Sequence, residues 1–114
     1  MSKISVYKGD TKTITITVKD TDNDPQNISG YTITLTVKKS ETDADADAVL
    51  QKQFTALEQS LYPGQAQVTL TPSDTDLTAR TYVYDIELDS ASPLLRKTLV
   101  KGFFEVIQDV YHHD

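Results

Sequence analysis

Two short stretches carry carboxylates at every second position. "KDTDNDPQ" places Asp20, Asp22 and Asp24 ahead of Pro25, and "ETDADADA" places Asp43, Asp45 and Asp47 in a row of alanines. Alternating side-chain oxygens open the calcium loop of a helix–loop–helix site, which also requires Gly at its sixth position and a bidentate Glu at its twelfth. Counted from Asp20, those positions are Pro25 and Tyr31. The two residues that give the motif its specificity are therefore missing. Asp and Asn also build polar turns, because their side chains bond to nearby backbone, and the turn reading is the simpler one. With antiparallel strands, connections 20–30 and 40–48 fall at opposite ends of the domain, so the two clusters cannot share an ion. A weak calcium site at either end stays open, as does a stray divalent metal on His112, His113 and Asp114, but no metal or cofactor is expected.

Nucleophilic and acid–base catalysis find less support still. The two histidines, His112 and His113, stand together in the terminal "YHHD". A general base needs fixed geometry within hydrogen-bond reach of its proton, and chain ends fray; residues 108–114 are expected to form such a tail. The four glycines, Gly9, Gly30, Gly64 and Gly102, stand alone and cannot make a phosphate-cradling loop. Spacing permits a pair of carboxylates of the glycosidase type, but nothing marks one. The expectation is a protein without catalytic residues.

Composition bounds the rest. The chain has 114 residues, 38% hydrophobic and 25% charged, which suits one globular domain with its own core. Cysteine is absent, which removes disulfides and thiolate chemistry. The net charge of −6, with no basic run longer than Lys38–Lys39, argues against nucleic acid. No apolar run approaches the roughly 20 residues of a membrane helix. "MSKISVYKGD" lacks the apolar core of a signal peptide, so synthesis and folding in the cytosol are expected.

The elements that must position any site are strands. In "TKTITITVK", Ile14, Ile16 and Val18 alternate with threonines, and "YTITLTVKK" alternates Tyr31, Ile33, Leu35 and Val37 inward with Thr32, Thr34 and Thr36 outward. "QAQVTLT" sends Ala66, Val68 and Leu70 to one face, and "RTYVYDIEL" does so with Tyr82, Tyr84, Ile86 and Leu88. Lys3–Tyr7, Val49–Phe54 and Leu94–Ile107 complete seven strands, with a bulge or bend expected at Gly102. Pro25, Gly30, Pro63, Gly64, Pro72 and Pro93 punctuate the strands. One helical turn fits "TALEQSLYPG". Another fits "PSDTDL", started by Pro72 and capped by Ser73 or Asp74. Seven short strands without a long helix predict an antiparallel β-sandwich, one domain spanning residues 1–114.

One local constellation is structural. Asp76 precedes Tyr82 by six residues, with a turn between them and a strand starting at Tyr82. That is the layout of a tyrosine corner, whose phenol bonds back to upstream backbone. Tyr84 takes the position where antibody domains carry their second cysteine, so packing is expected to replace the disulfide.

The succession "YKGDTKTITITV", "ISGYTITLTVKK", "GQAQVTLTPSDTDLTARTYVYDIEL" and "LVKGFFEV" resembles the immunoglobulin-like structural domains of tailed bacteriophages, in particular the N-terminal domain of upper baseplate proteins. Arg80 stands where such domains commonly carry Gly, so its backbone must avoid positive φ or accept strain. The resemblance implies a non-enzymatic virion protein at the baseplate or tail, or at a neck, head fibre or capsid surface. Such a protein docks in multiple copies to other virion proteins and contacts neither nucleic acid nor membrane. Lys3, Lys8, Lys97 and Lys101 are the candidate interface, a basic flank beside acidic ends. The alternative is a free-standing adhesion module for a carbohydrate or cell-surface ligand, using Tyr7, Tyr62 and Tyr111 as exposed aromatics.

Overall fold

The computed structural model describes residues 2–91 and 94–108. Seven strands follow in order: β1 (Ser2–Tyr7), β2 (Lys12–Thr17), β3 (Thr32–Lys38), β4 (Leu50–Thr55), β5 (Gln65–Leu70), β6 (Arg80–Ala91) and β7 (Leu94–Ile107). Among the described residues the only helical element is a 3₁₀ turn over Asp45–Asp47. The protein is all-β.

The strands form a curled five-stranded sheet, ordered β1-β7-β6-β3-β4, and a two-stranded sheet of β2 and β5. All neighbours run antiparallel except β1, which lies parallel to the second half of β7, with Ser2 opposite Gly102 and Tyr7 opposite Ile107. That parallel pairing is possible because the whole domain lies between the two strands, supplying the long crossover a parallel pair requires.

The period-two pattern sets the core. Ile33, Leu35 and Val37 from β3, Tyr82, Tyr84, Ile86 and Leu88 from β6, Phe104 and Val106 from β7, and Ala66, Val68 and Leu70 from β5 are all buried. Both sheets thus contribute to one hydrophobic cluster. β2 contributes less. Ile14 and Ile16 are only partly buried, although Val18 just beyond them is buried.

Several local expectations are corrected. The register shift lies between Ile86 and Glu87, opposite an extra residue at Leu99, and Gly102 sits in regular pairing with Tyr84 and Ser2. Thr36 is buried, because β3 is flanked by β6 and β4 and Gln51 donates an amide hydrogen bond across to its hydroxyl. The turn at "TPSDTDL" is capped by Thr71. Its Oγ1 accepts from the Asp74 amide at 3.3 Å while the Asp74 carboxylate accepts from the Thr71 amide at 2.8 Å. That reciprocal pair is a capping box with Asp in the usual Glu position. "TALEQSLYPG" makes a single turn closed by the Tyr62 amide on the Glu58 carbonyl at 2.8 Å.

Candidate functional site

The aspartates of "KDTDNDPQ" close their own loop. Asp20 Oδ1 accepts from the amides of Asp22 at 2.9 Å and Asp24 at 3.0 Å, and Asn23 takes the left-handed conformation that this turn needs (φ 68°). Asn tolerates that region better than most residues. Asp43 serves its own loop in the same way, accepting from the Ser40 amide at 3.2 Å. The two loops lie at opposite ends of β3. Among the described residues no group of three or more His, Cys, Asp or Glu could hold a metal ion.

Tyr82 is buried, and its hydroxyl donates to the Thr78 carbonyl at 2.7 Å. Burial pushes its phenol pKa up, opposed by the Arg80 charge. Asp76 takes no part in that bond. It is exposed and pairs with Lys8 at 3.7 Å. Tyr84 is buried among the core residues. Arg80 keeps negative φ, since among the described residues Asn23 is the sole non-glycine with positive φ.

The lysines expected to form a basic flank are mostly spent within the domain. Lys3 pairs with Glu105 at 3.1 Å, Lys8 with Asp76, and Lys101 with Glu41 at 3.6 Å. These pairs bring opposite charges together, so Lys3, Lys8 and Lys101 do not form a separate basic face. Lys97 lies on the exposed first half of β7. The aromatic residues do not gather either. Tyr7 and Tyr62 are half exposed, but they adjoin opposite ends of β2, about 20 Å of strand apart. Tyr111, His112 and His113 lie outside the described residues.

Of the concave features among the described residues, two bear on a site. The smaller, about 210 Å³, lies on the outer face of the large sheet among Thr34, Thr36, Gln51, Gln53 and the carboxylates of β6. Asp85, Glu87 and Asp89 stand there at every second position. Burial pushes the Glu87 pKa up, and its hydrogen bond to Asp89 and the Asp89 charge add to the shift. Arg96, 3.3 Å away, opposes it. Asp89 Oδ1 lies 3.6 Å from Arg96 Nε, near enough for attraction but without a hydrogen bond.

The larger feature is a cleft of about 490 Å³ between the two sheets. One wall is every residue from Ile14 to Lys19, and the other is every residue from Lys97 to Val100, with Lys3 and Ile4 at one end and Tyr84 and Ile86 in the floor. A wall made of consecutive residues is a strand seen edge-on, since a strand seen face-on contributes only alternate residues. The pairing agrees. β2 pairs only with β5, and β7 pairs with β1 only from Gly102 onward, so Leu94–Lys101 has β6 on one side and no strand on the other among the described residues.

Nothing in the alternation of Ile14 and Ile16 distinguishes this seam from an ordinary half-buried strand. The clue in the sequence was length. A last strand of 14 residues beside a first strand of 6 leaves part of its edge uncovered. The opposite seam depends on a residue that sequence reasoning passed over, Gln59. Its Oε1 accepts from the amides of Ile28 at 3.1 Å and Gly64 at 2.8 Å, and its Nε2 donates to the Leu57 carbonyl at 2.9 Å. No family model matches the chain, and neither the curated proteins nor the solved structures searched contain a match to it.

Proposed function

We propose that the chain is an immunoglobulin-like β-sandwich that serves as a non-enzymatic structural module of a tailed-phage virion, held in place by docking to other virion proteins. The strand order supports the fold assignment. Equating β2, β3, β4, β5, β6 and β7 with strands B, C, C′, E, F and G gives a GFCC′ sheet facing a BE sheet. The bond from Tyr82 to Thr78, at the start of the F-equivalent strand and two residues before Tyr84, is the tyrosine corner of that arrangement.

The observation that carries the functional reading is the strand edge on each wall of the β2–β7 seam that no strand covers among the described residues, with partly buried apolar side chains between. Exposed edges pair with other chains unless they are blocked, so a domain that keeps two of them side by side is built to be covered. The site of the protein is then the virion, assembled in the host cytosol, with several copies packed among other structural proteins. Mass spectrometry of purified phage particles tests the reading. The expected result is the chain in multiple copies per particle, and its absence from intact particles overturns the proposal.

A further inference from the structure

Resting on that docking reading, we infer that the seam between β2 and the first half of β7 is an acceptor slot for one extended strand of a neighbouring polypeptide, apolar on its inward positions and acidic at its rim. Three observations define the occupant. Both walls offer strand edges, so the occupant is itself a strand, held by main-chain hydrogen bonds on one or both sides. Ile4, Ile14, Ile16, Leu99 and Val100 are packed against the core yet only partly buried, and all five line the slot. They require apolar side chains at alternate positions of the incoming strand. The rim is basic: Lys3, Lys19 and Lys97 line it, and among the described residues no carboxylate does. Lys3 is engaged by Glu105, which leaves the exposed Lys19 and Lys97, one on each wall, to meet acidic side chains.

The slot also has a position and a length. β1 already covers the second half of the same β7 edge, in parallel register from Ser2 opposite Gly102. An incoming strand lies along Lys97–Lys101 and abuts β1, completing a row that β1 begins. The six-residue wall Ile14–Lys19 corresponds to about 20 Å of strand, so five to six residues fill it. With the slot filled, strand neighbours would run from β4 through the large sheet to β7, through the guest to β2, and on to β5. The other junction, between β5 and β4, is already bridged at Ala56–Ala66.

The probe is a blocked nine-residue peptide alternating valine with glutamate, used below the concentration at which it self-associates. In the isolated chain, amides of Ile14–Thr17 that face away from β5, and of Lys97–Val100 that face away from β6, should exchange rapidly with solvent. The peptide should slow those amides at least tenfold and leave the rest of the sheet unchanged. A peptide with lysine for glutamate should bind at least tenfold more weakly, and a proline at the central position should remove binding. The double variant Lys19→Glu/Lys97→Glu changes only exposed side chains, and it should reverse the preference between the two peptides. Equal binding of both peptides, or perturbation mapped elsewhere, overturns the proposal. So does protection of these amides in the peptide-free chain: independent of concentration, it means that the chain's own residues close the seam, and rising with concentration, it means that a second copy does. The particle assay reads a separate quantity, so a chain that accepts the strand yet is absent from particles refutes the virion assignment alone.

Discussion

Where β4 gives way to β5, backbone hydrogen bonds carry one sheet into the other; where β2 faces β7, the sheets meet without them among the described residues. At the first junction Ala56 bridges Ala66, and the Leu57 amide donates to the Gln65 carbonyl at 3.0 Å. Gln59 then ties the 56–64 turn to the loop after β2. The Val18 amide donates to the Gly64 carbonyl at 2.7 Å, and the Ile28 amide to Gln59. At the second junction the same β2 shows its other edge to a cleft. The difference teaches where the fold is self-sufficient. A buried polar backbone must be paired, and the closed seam meets that demand with local side chains. The open seam leaves its backbone to water or to a partner.

Substitutions at the closed seam should cost most. Gly64→Ala should destabilise by about 2–4 kcal/mol in urea unfolding. Its φ is +74°, and a Cβ there would meet the Val18 carbonyl oxygen at 2.6 Å, so strain and a backbone clash act together. A cost near that of an ordinary surface change would mean that this junction is loose. Gln59→Ala should follow at about 2–3 kcal/mol, because it strands the Ile28 and Gly64 amides together. Gln59→Glu sharpens the point: it keeps the acceptor but turns an oxygen toward the Leu57 carbonyl, so it should not restore full stability.

Tyr82→Phe should cost about 1–2 kcal/mol by losing the bond to Thr78, a connection from β6 to the loop just before it that lies at neither seam. An unchanged unfolding midpoint would remove the tyrosine corner from the account. Asp74→Asn should cost about 1 kcal/mol, with a clear pH signature. Burial raises the Asp74 pKa, but hydrogen bonds from Lys52 at 2.8 Å and from Thr71 outweigh it, so the folded value lies below the ordinary 3.8. A lowered folded pKa stabilises the native state above the ordinary value, and that stabilisation is lost as pH falls below 3.8 through the folded one. The native chain should therefore lose stability to acid over that window, and Asp74→Asn should flatten the loss.

The open seam should be nearly silent. Lys97→Gln should change the stability of the isolated chain by less than about 0.5 kcal/mol, because the side chain is exposed and holds nothing in place. A large loss there would show that the seam is structurally closed and would erase the contrast between the two junctions. Thermal melts of the wild type, Gly64→Ala and Lys97→Gln measured side by side provide the most direct comparison.

Sequence patterning located every strand here because side-chain alternation reports which face is buried, and that holds whichever strand lies alongside. Ile33, Leu35 and Val37, or Tyr82, Tyr84 and Ile86, are legible as core from their spacing alone. The bond from Tyr82 back to Thr78 was legible for the same reason: it is local, reaching only four positions upstream. The Asp20 turn was also legible, since a side chain bonding two and four residues ahead needs only its own loop.

Contacts between distant segments were another matter. Thr75 is fully buried, and its hydroxyl donates to the Asp10 carbonyl at 2.7 Å across 65 residues, yet in the sequence it is one threonine in a polar turn. Gln59 reads as a loop glutamine until the fold brings Ile28, Leu57 and Gly64 around its amide. The lysines misled for the same reason. Their charges were visible, but the carboxylates that meet them lie on distant segments, as Glu105 on β7 does for Lys3 and Glu41 in the loop after β3 does for Lys101. By itself the sequence determined which residues face inward, where the chain turns, and that strands would dominate, because these follow from side-chain chemistry over a few neighbouring positions. Only the tertiary structure decided which strand edges pair and which stay bare. An edge consists of backbone groups that are the same for nearly every residue, so its partner is set by where the rest of the chain has packed.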